Sequence, residues 1–189
     1  MDMFNAINKT SFINNFDLMP YDEETLNLLN EHSYSKIKDF PINEEINGIV
    51  IEWRKINSVQ VSNPITIKSQ FFEIKQGTAQ DSALIAGLIG IRLYEISFQK
   101  NYLSSIIIPA LNRNNAYFIR ININGCFRLM EINDFIPFDK DTNSSILSST
   151  KSNEIWLPLL EKAFLNLYGF ENLKIKSNPA HQINYLLGW

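Results

Sequence analysis

The stretch Phe71–Tyr94, FFEIKQGTAQDSALIAGLIGIRLY, constrains the fold more than any other part of the chain. A polar loop, Gln76-Gly77-Thr78-Ala79-Gln80, runs into Asp81, and an almost wholly apolar segment follows at once. Asp81 is suited to N-cap a helix, because its carboxylate can accept from first-turn N–H groups that have no intrahelical partner. Leu84, Ile85, Leu88, Ile89, Ile91 and Leu93 leave that helix without a polar face until Arg92 and Glu95. A helix apolar all round is normally buried on all sides, so the pattern predicts the central helix of one core, beginning at Ser82. Ser82 then lies in the first turn, where the positive end of the helix dipole favours a nucleophile.

With 189 residues, 45% of them hydrophobic and 12% aromatic, the chain is expected to build one globular domain. A net charge of -3 and the lack of a Lys/Arg cluster argue against nucleic acid as a partner. Cys126 is the only cysteine, which excludes an intrachain disulfide and any multi-cysteine metal site. The start is not signal-like and no apolar run reaches transmembrane length, so a soluble, cytoplasmic protein with no membrane partner is expected.

Taken in order, residues 1–20 are polar and Asn-rich, and read as a loosely attached arm whose Phe4, Phe12 and Phe16 can dock on the core. A helix is expected within residues 22–38, capped by Asp22, with Glu23 and Glu24 at its positive end. His32, on that stretch, reads as a surface histidine. Asn47-Gly48 signals a turn into an extended Ile49–Lys55. Residues 98–115 fit a strand or a short helix equally well. Alternation over Tyr117–Ile123, Asn124-Gly125, then Cys126–Ile132 is a strong hairpin signal. Asn153 is a natural N-cap for an amphipathic helix with the core stripe Ile155, Leu159, Leu160, Ala163, Phe164 and Leu167. A last helix is expected after Asn178, with Ala180, Ile183, Leu186 and Leu187 at helical spacing.

Several of these segments resemble calpain-type cysteine proteases. Gln76-Gly77-Thr78-Ala79-Gln80-Asp81-Ser82-Ala83-Leu84-Ile85-Ala86 is similar, without gaps, to the family's Q-G-x-x-G-D-C-W-L-L-A. The family's glycine is Gln80 here, its catalytic cysteine is Ser82, and its tryptophan is Ala83. Asn153-Glu154-Ile155-Trp156-Leu157-Pro158-Leu159-Leu160-Glu161-Lys162-Ala163-Phe164 resembles N-E-F-W-x-x-L-L-E-K-A-Y. Gly125–Pro137 resembles the run G-x-W-x-x-V-x-[IV]-D-D-x-[LP]-P, with Phe127 for Trp and Asn133 for the first Asp, and Ile51-Glu52-Trp53-Arg54-Lys55, without the proline, resembles the family's W-x-R-P-like segment. The final helix resembles the family helix ending L-T-G, at which the first protease subdomain hands over to the second. The resemblance runs from residue 51 to residue 189.

It implies an α+β fold: a helix-rich, papain-like half-domain with a central buried helix beginning at Ser82 and a hairpin near residues 117–132. Residues 1–48 would form an N-terminal arm and helix, and residues 49–189 the first protease-core subdomain, without the second subdomain that carries His and Asn. Ser82 stands at the nucleophile position and Gln76 at the oxyanion position. An alkyl hydroxyl, unlike a thiol, is not ionised by a helix terminus alone and needs an oriented base. His181 falls on a helix with no catalytic role in the family. The resemblance also implies calcium, with Glu73 and Glu154 as acidic ligands. Two carboxylates fall short of the six to eight oxygens calcium takes, so loop carbonyls would have to complete the site. The other reading makes Glu154 a first-turn helix acid and Glu73 a surface charge.

The family reaction is calcium-dependent peptide-bond hydrolysis. This chain is expected to be inactive alone and to serve as a binding or regulatory pseudoprotease, docking a protein or peptide at its half-cleft. The alternative is an active endopeptidase completed by a longer product or by a partner bearing the second subdomain. A degenerate product without a present role is a third reading. Loss of the neighbouring glycine and tryptophan from the same motif favours natural drift over deliberate silencing of the cysteine.

Overall fold

The computed structural model describes residues 12–13, 16–23, 25–27, 45–55, 67–109, 116–169, 173 and 177–189. Its strands are β1 (Phe12–Ile13), β2 (Phe16–Asp17), β3 (Met19–Pro20), β4 (Glu45–Ile46), β5 (Ile49–Lys55), β6 (Ile74–Lys75), β7 (Ile107–Pro109), β8 (Ala116–Ile123), β9 (Cys126–Asn133), β10 (Phe135–Asp139) and β11 (Ser149–Thr150). Helices Ser82–Phe98, Leu103–Ile106, Trp156–Tyr168 and Pro179–Leu187 complete an α+β architecture.

The Asn124-Gly125 hairpin forms as its sequence requires. Both turn residues take positive φ, 53° and 80°, which matches a tight turn to the twist of its strands. β8 and β9 pair antiparallel from Ala116↔Asn133 to Ile123↔Cys126. The hairpin is not at an edge, because β3 covers β9 and β7 covers β8 in the order β3-β9-β8-β7. Asn47-Gly48 likewise turns β4 into β5, which pairs on its other side with β10. The undecided stretch after Phe98 holds both structures, a short helix at Leu103–Ile106 and then β7.

Near the N-terminus, Leu18 is buried and Phe16 packs on the core, while β3 adds a strand to β9. Phe4 and His32 lie outside the described residues, as does most of the helix expected within residues 22–38. Its cap is present: Thr25 N–H donates to Asp22 Oδ1 at 2.7 Å.

Two helices exchange the roles that their sequences suggest. The Ser82 helix, apolar all round, buries one stripe, Leu84, Ile85, Leu88, Ile91, Arg92 and Glu95, and exposes Leu93, Ile96 and Phe98. Its charged residues face inward because the chain supplies partners there. Arg92 donates to the carbonyls of Ser69 (2.9 Å) and Ile67 (3.2 Å) and to Glu95 Oε2 (3.0 Å), and Glu95 Oε1 accepts from Leu103 N–H (2.7 Å). The Trp156 helix, amphipathic by sequence, is buried from Trp156 to Leu167, Glu161, Lys162 and Asn166 included. It also begins later than expected. Asn153 has φ 51° and gives its N–H to Thr150, so Ile155 becomes the N-cap. Pro158 then falls in the first turn, where its missing N–H costs no helical bond.

The Pro179 helix is capped by Asn178, whose Oδ1 accepts from His181 N–H, and it ends at Gly188 with φ 77°. It crosses the Ser82 helix at Gly87, where an added Cβ would lie 3.3 Å from Gln182 Cβ and from Pro179 O. Its inward residues are Gln182 and Leu186, while Ala180 is exposed.

Arg92→Ala strands the buried Glu95 carboxylate and frees two carbonyls, and is expected to cost about 3–5 kcal/mol of stability in urea unfolding. A loss below about 1 kcal/mol, the scale of an exposed pair, would contradict this account of the inner face.

Candidate functional site

The loop between β6 and the Ser82 helix is built on close approach. A Cβ on Gly77 would run into the Ile146 carbonyl and the Leu147 backbone, so only glycine fits there. Thr78 and Ala79 both give their N–H groups to Ile146 O (2.9 and 3.2 Å), and Gly77 N–H donates to Ser148 Oγ (3.2 Å). Gln80, which stands where the motif has glycine, is exposed, keeps φ out of the left-handed region and donates its N–H to Leu173 O at 2.7 Å. A side chain at that position therefore meets no backbone penalty.

Ser82 opens the helix and is exposed. Among the described residues its hydroxyl has no hydrogen-bond partner. His181 is exposed on the Pro179 helix, with its backbone N–H taken by Asn178. Asp81 is the N-cap residue, but its side chain makes no capping bond. The carboxylate turns inward instead and is fully buried. Its Oδ1 accepts from Gln76 Nε2 at 3.2 Å, and the same amide nitrogen donates to Ala79 O at 3.1 Å. An amide has two N–H donors, and both are thereby spent within the loop.

Behind Asp81 lies Glu161 of the Trp156 helix, also fully buried and within hydrogen-bond reach of it. Glu161 Oε2 accepts from Ser148 N–H at 2.6 Å. Burial raises the pKa of Asp81, partly offset by the bonds it accepts from Glu161 and Gln76. Glu161 is pushed well above the ordinary 4.5, first by burial and then by the charge of Asp81. Sequence reasoning missed Glu161 because its neighbours Leu159, Leu160, Ala163 and Phe164 already account for a core stripe. An acid beside that stripe reads as solvated.

Glu154 and Glu73 both hold the segment that precedes this loop. Glu154 Oε1 accepts from Lys68 and Ser69 N–H (3.0 and 3.1 Å), and its Oε2 from Ser69 N–H (3.2 Å) and the Trp156 indole (2.8 Å). Glu73 Oε2 accepts from Gln70 N–H at 2.7 Å. The carbonyls of Ile67 and Ser69 face the Arg92 guanidinium, whose positive charge repels a cation. A calcium ion requires oxygens with free lone pairs and no N–H groups pointed at it, so this donor set does not fit one. Burial raises the pKa of Glu154, but the hydrogen bonds from Ser69, Trp156 and Lys68 outweigh it and leave the pKa lowered. Among the described residues no group of three or more His, Cys, Asp or Glu could hold a metal, and no helix is long and apolar enough to cross a membrane.

The model of the calpain family cysteine protease matches residues 23–181 of the chain. The chain belongs to the calpain family of cysteine proteases. It is 25% identical to Calpain-7 of Sus scrofa over 97% of its own length and 24% of that protein. It is 29% identical to Calpain-7 of Homo sapiens over 68% of its length, and 25% identical to the calpain-type cysteine protease DEK1 of Zea mays over 64%. The chain thus spans 24% of the Sus scrofa Calpain-7 and 17% of the human one. Within this calpain-family chain Ser82 presents an exposed hydroxyl at the helix start, and the Gln76 amide is bonded into its own loop.

Because folding lowers the pKa of Glu154, its contribution to stability is present above the ordinary 4.5 and is lost as pH falls through the lowered value. Glu154→Gln should remove that acid-side loss while costing about 1–3 kcal/mol at neutral pH. Adding calcium should leave both Tm and Trp156 fluorescence unchanged. A calcium-dependent rise in Tm that Glu154→Gln abolishes would show that the donor set rearranges around the ion.

Proposed function

We propose that this calpain-family chain acts as a pseudoprotease module, binding a protein or peptide at its half-cleft without hydrolysing it alone. One observation carries the reading: both N–H donors of Gln76 are committed to Ala79 O and Asp81 Oδ1. An oxyanion hole needs preorganised donors aimed at the oxygen that becomes charged, and donors already spent on the ground-state loop supply none. The hydroxyl of Ser82 adds a second deficit, since attack on a peptide carbonyl requires removal of its proton by an oriented base. The helix terminus and the exposed side chains of Gln76, Gln80 and Ser82 remain able to hydrogen-bond an extended chain laid across them.

The second reading is a protease completed by further sequence or by a partner bearing the rest of the core. Its support is the share of length, 24% of the Sus scrofa Calpain-7. Calcium regulation in that case would act outside the Glu73–Glu154 pair.

The test is turnover of an unstructured protein and of a fluorogenic peptide library by the purified chain, with and without calcium. No turnover above the Ser82→Ala background is expected. Cleavage that Ser82→Ala abolishes would overturn the proposal. Ser82→Cys supplies the missing thiol while the Gln76 amide stays bonded within its loop, so it should also stay inert alone. Restored cleavage on addition of a second protease subdomain would favour the completed-protease reading.

A further inference from the structure

The two buried carboxyl groups behind the loop have no role in the reading above. Asp81 Oδ2 and Glu161 Oε1 are both buried without a hydrogen-bond partner, and the two carboxyl groups lie within hydrogen-bond reach of each other. Asp81 Oδ1 takes the Gln76 amide, Glu161 Oε2 takes Ser148 N–H, and the Ser148 hydroxyl, which accepts from Gly77 N–H, is the other neutral donor beside Glu161. The loop side presents the Gln76 amide, and the strand side presents Ser148. Lys162, next to Glu161 on its helix, spends its ammonium on the carbonyls of Asn133 and Phe135 and on Asn133 Oδ1. Arg92 is taken by Ile67, Ser69 and Glu95. No cation is hydrogen-bonded to either carboxyl group among the described residues. Two carboxylates held this close in a water-poor interior cannot both be charged, whereas one proton between them satisfies both orphan oxygens.

We propose that Glu161 is a positioning residue for the candidate site: as a neutral acid it donates to Asp81 Oδ2, and Asp81 in turn holds the Gln76 amide inside its loop. The path runs from helix to loop through side chains alone, Glu161 to Asp81 to Gln76. A second path, from Glu161 through Ser148 to the Gly77 N–H, fixes the other end of the same loop. Loss of the shared proton places two negative charges face to face, drives the carboxylates apart and releases the Gln76 amide. The inference rests on these hydrogen bonds and not on whether Ser82 ever attacks a substrate.

The sign of the pH dependence follows from the raised pKa of Glu161. The folded chain keeps a proton that the unfolded chain gives up near 4.5. The pair's contribution is therefore full below that value and is lost as pH rises through the raised pKa.

The test uses the full chain, labelled with nitrogen-15, with the Gln76 side-chain signals assigned by their loss in Gln76→Ala. Infrared spectra at neutral pH should show a protonated carboxylic acid that disappears in Glu161→Gln, whose amide can replace the donated hydrogen. As pH rises, the Gln76 amide signals should lose protection from exchange with the same midpoint as loss of that acid band. In Glu161→Gln they should stay protected, with no inflection. An unchanged Gln76 response in Glu161→Gln, or an acid band that vanishes while Gln76 does not respond, would overturn the proposal. Should Glu161→Gln not fold, Asp81→Asn provides the same decision. It removes the charge that would face Glu161, so the Gln76 amide signals should show no inflection with pH, and an inflection that persists contradicts the shared proton.

Discussion

The inward turn of the Asp81 carboxylate is the interaction on which the site depends. An aspartate at a helix N-cap ordinarily accepts from the first-turn N–H groups. Asp81 faces Glu161 and Gln76 instead, and three consequences follow. The helix begins with its N–H groups uncapped beside Ser82. The Gln76 amide is fixed by an acceptor that cannot move without exposing a buried acid. The loop closes on residues 146–148, where Gly77 leaves room for nothing but backbone.

This geometry makes loop, helix start and Trp156 helix one unit. Arg92 ties Ile67 and Ser69 to the Ser82 helix, and Glu154 holds the N–H groups of Lys68 and Ser69 from the other side. The same carboxylates that a metal would need are thus engaged in ordering the approach to the site through N–H donors. In a chain that keeps this arrangement, the segment is held in place by its own side chains.

Much of the fold was legible because it depends on local rules. The Asn-Gly turns, the alternation of β8 and β9 and the helix start at Ser82 follow from residues adjacent in sequence. What was not legible depends on long-range partners. Arg92 and Glu95 read as the start of a polar face, yet they face inward because Ile67, Ser69 and Leu103 meet them there. Glu161 and Lys162 read as the solvated side of an amphipathic helix, yet Ser148 donates to the one and Asn133 accepts from the other inside. The positions of Ser82 and Gln76 came from the motif, but the direction in which Gln76 points depends on Asp81, and that in turn on a helix some eighty residues further along the chain.

The central claim is that the Ser82 position has a helix terminus but, among the described residues, no base set against it. Alkylation of the Ser82→Cys variant, followed as a function of pH, tests this most directly, with Cys126 replaced so that one thiol reports. A thiol acted on by a helix terminus alone should give a single rise in rate toward its ordinary range, about 8.5 or moderately lower. A thiolate already reactive at about pH 4–5, the mark of an imidazolium ion pair, would show a base in place and contradict the account.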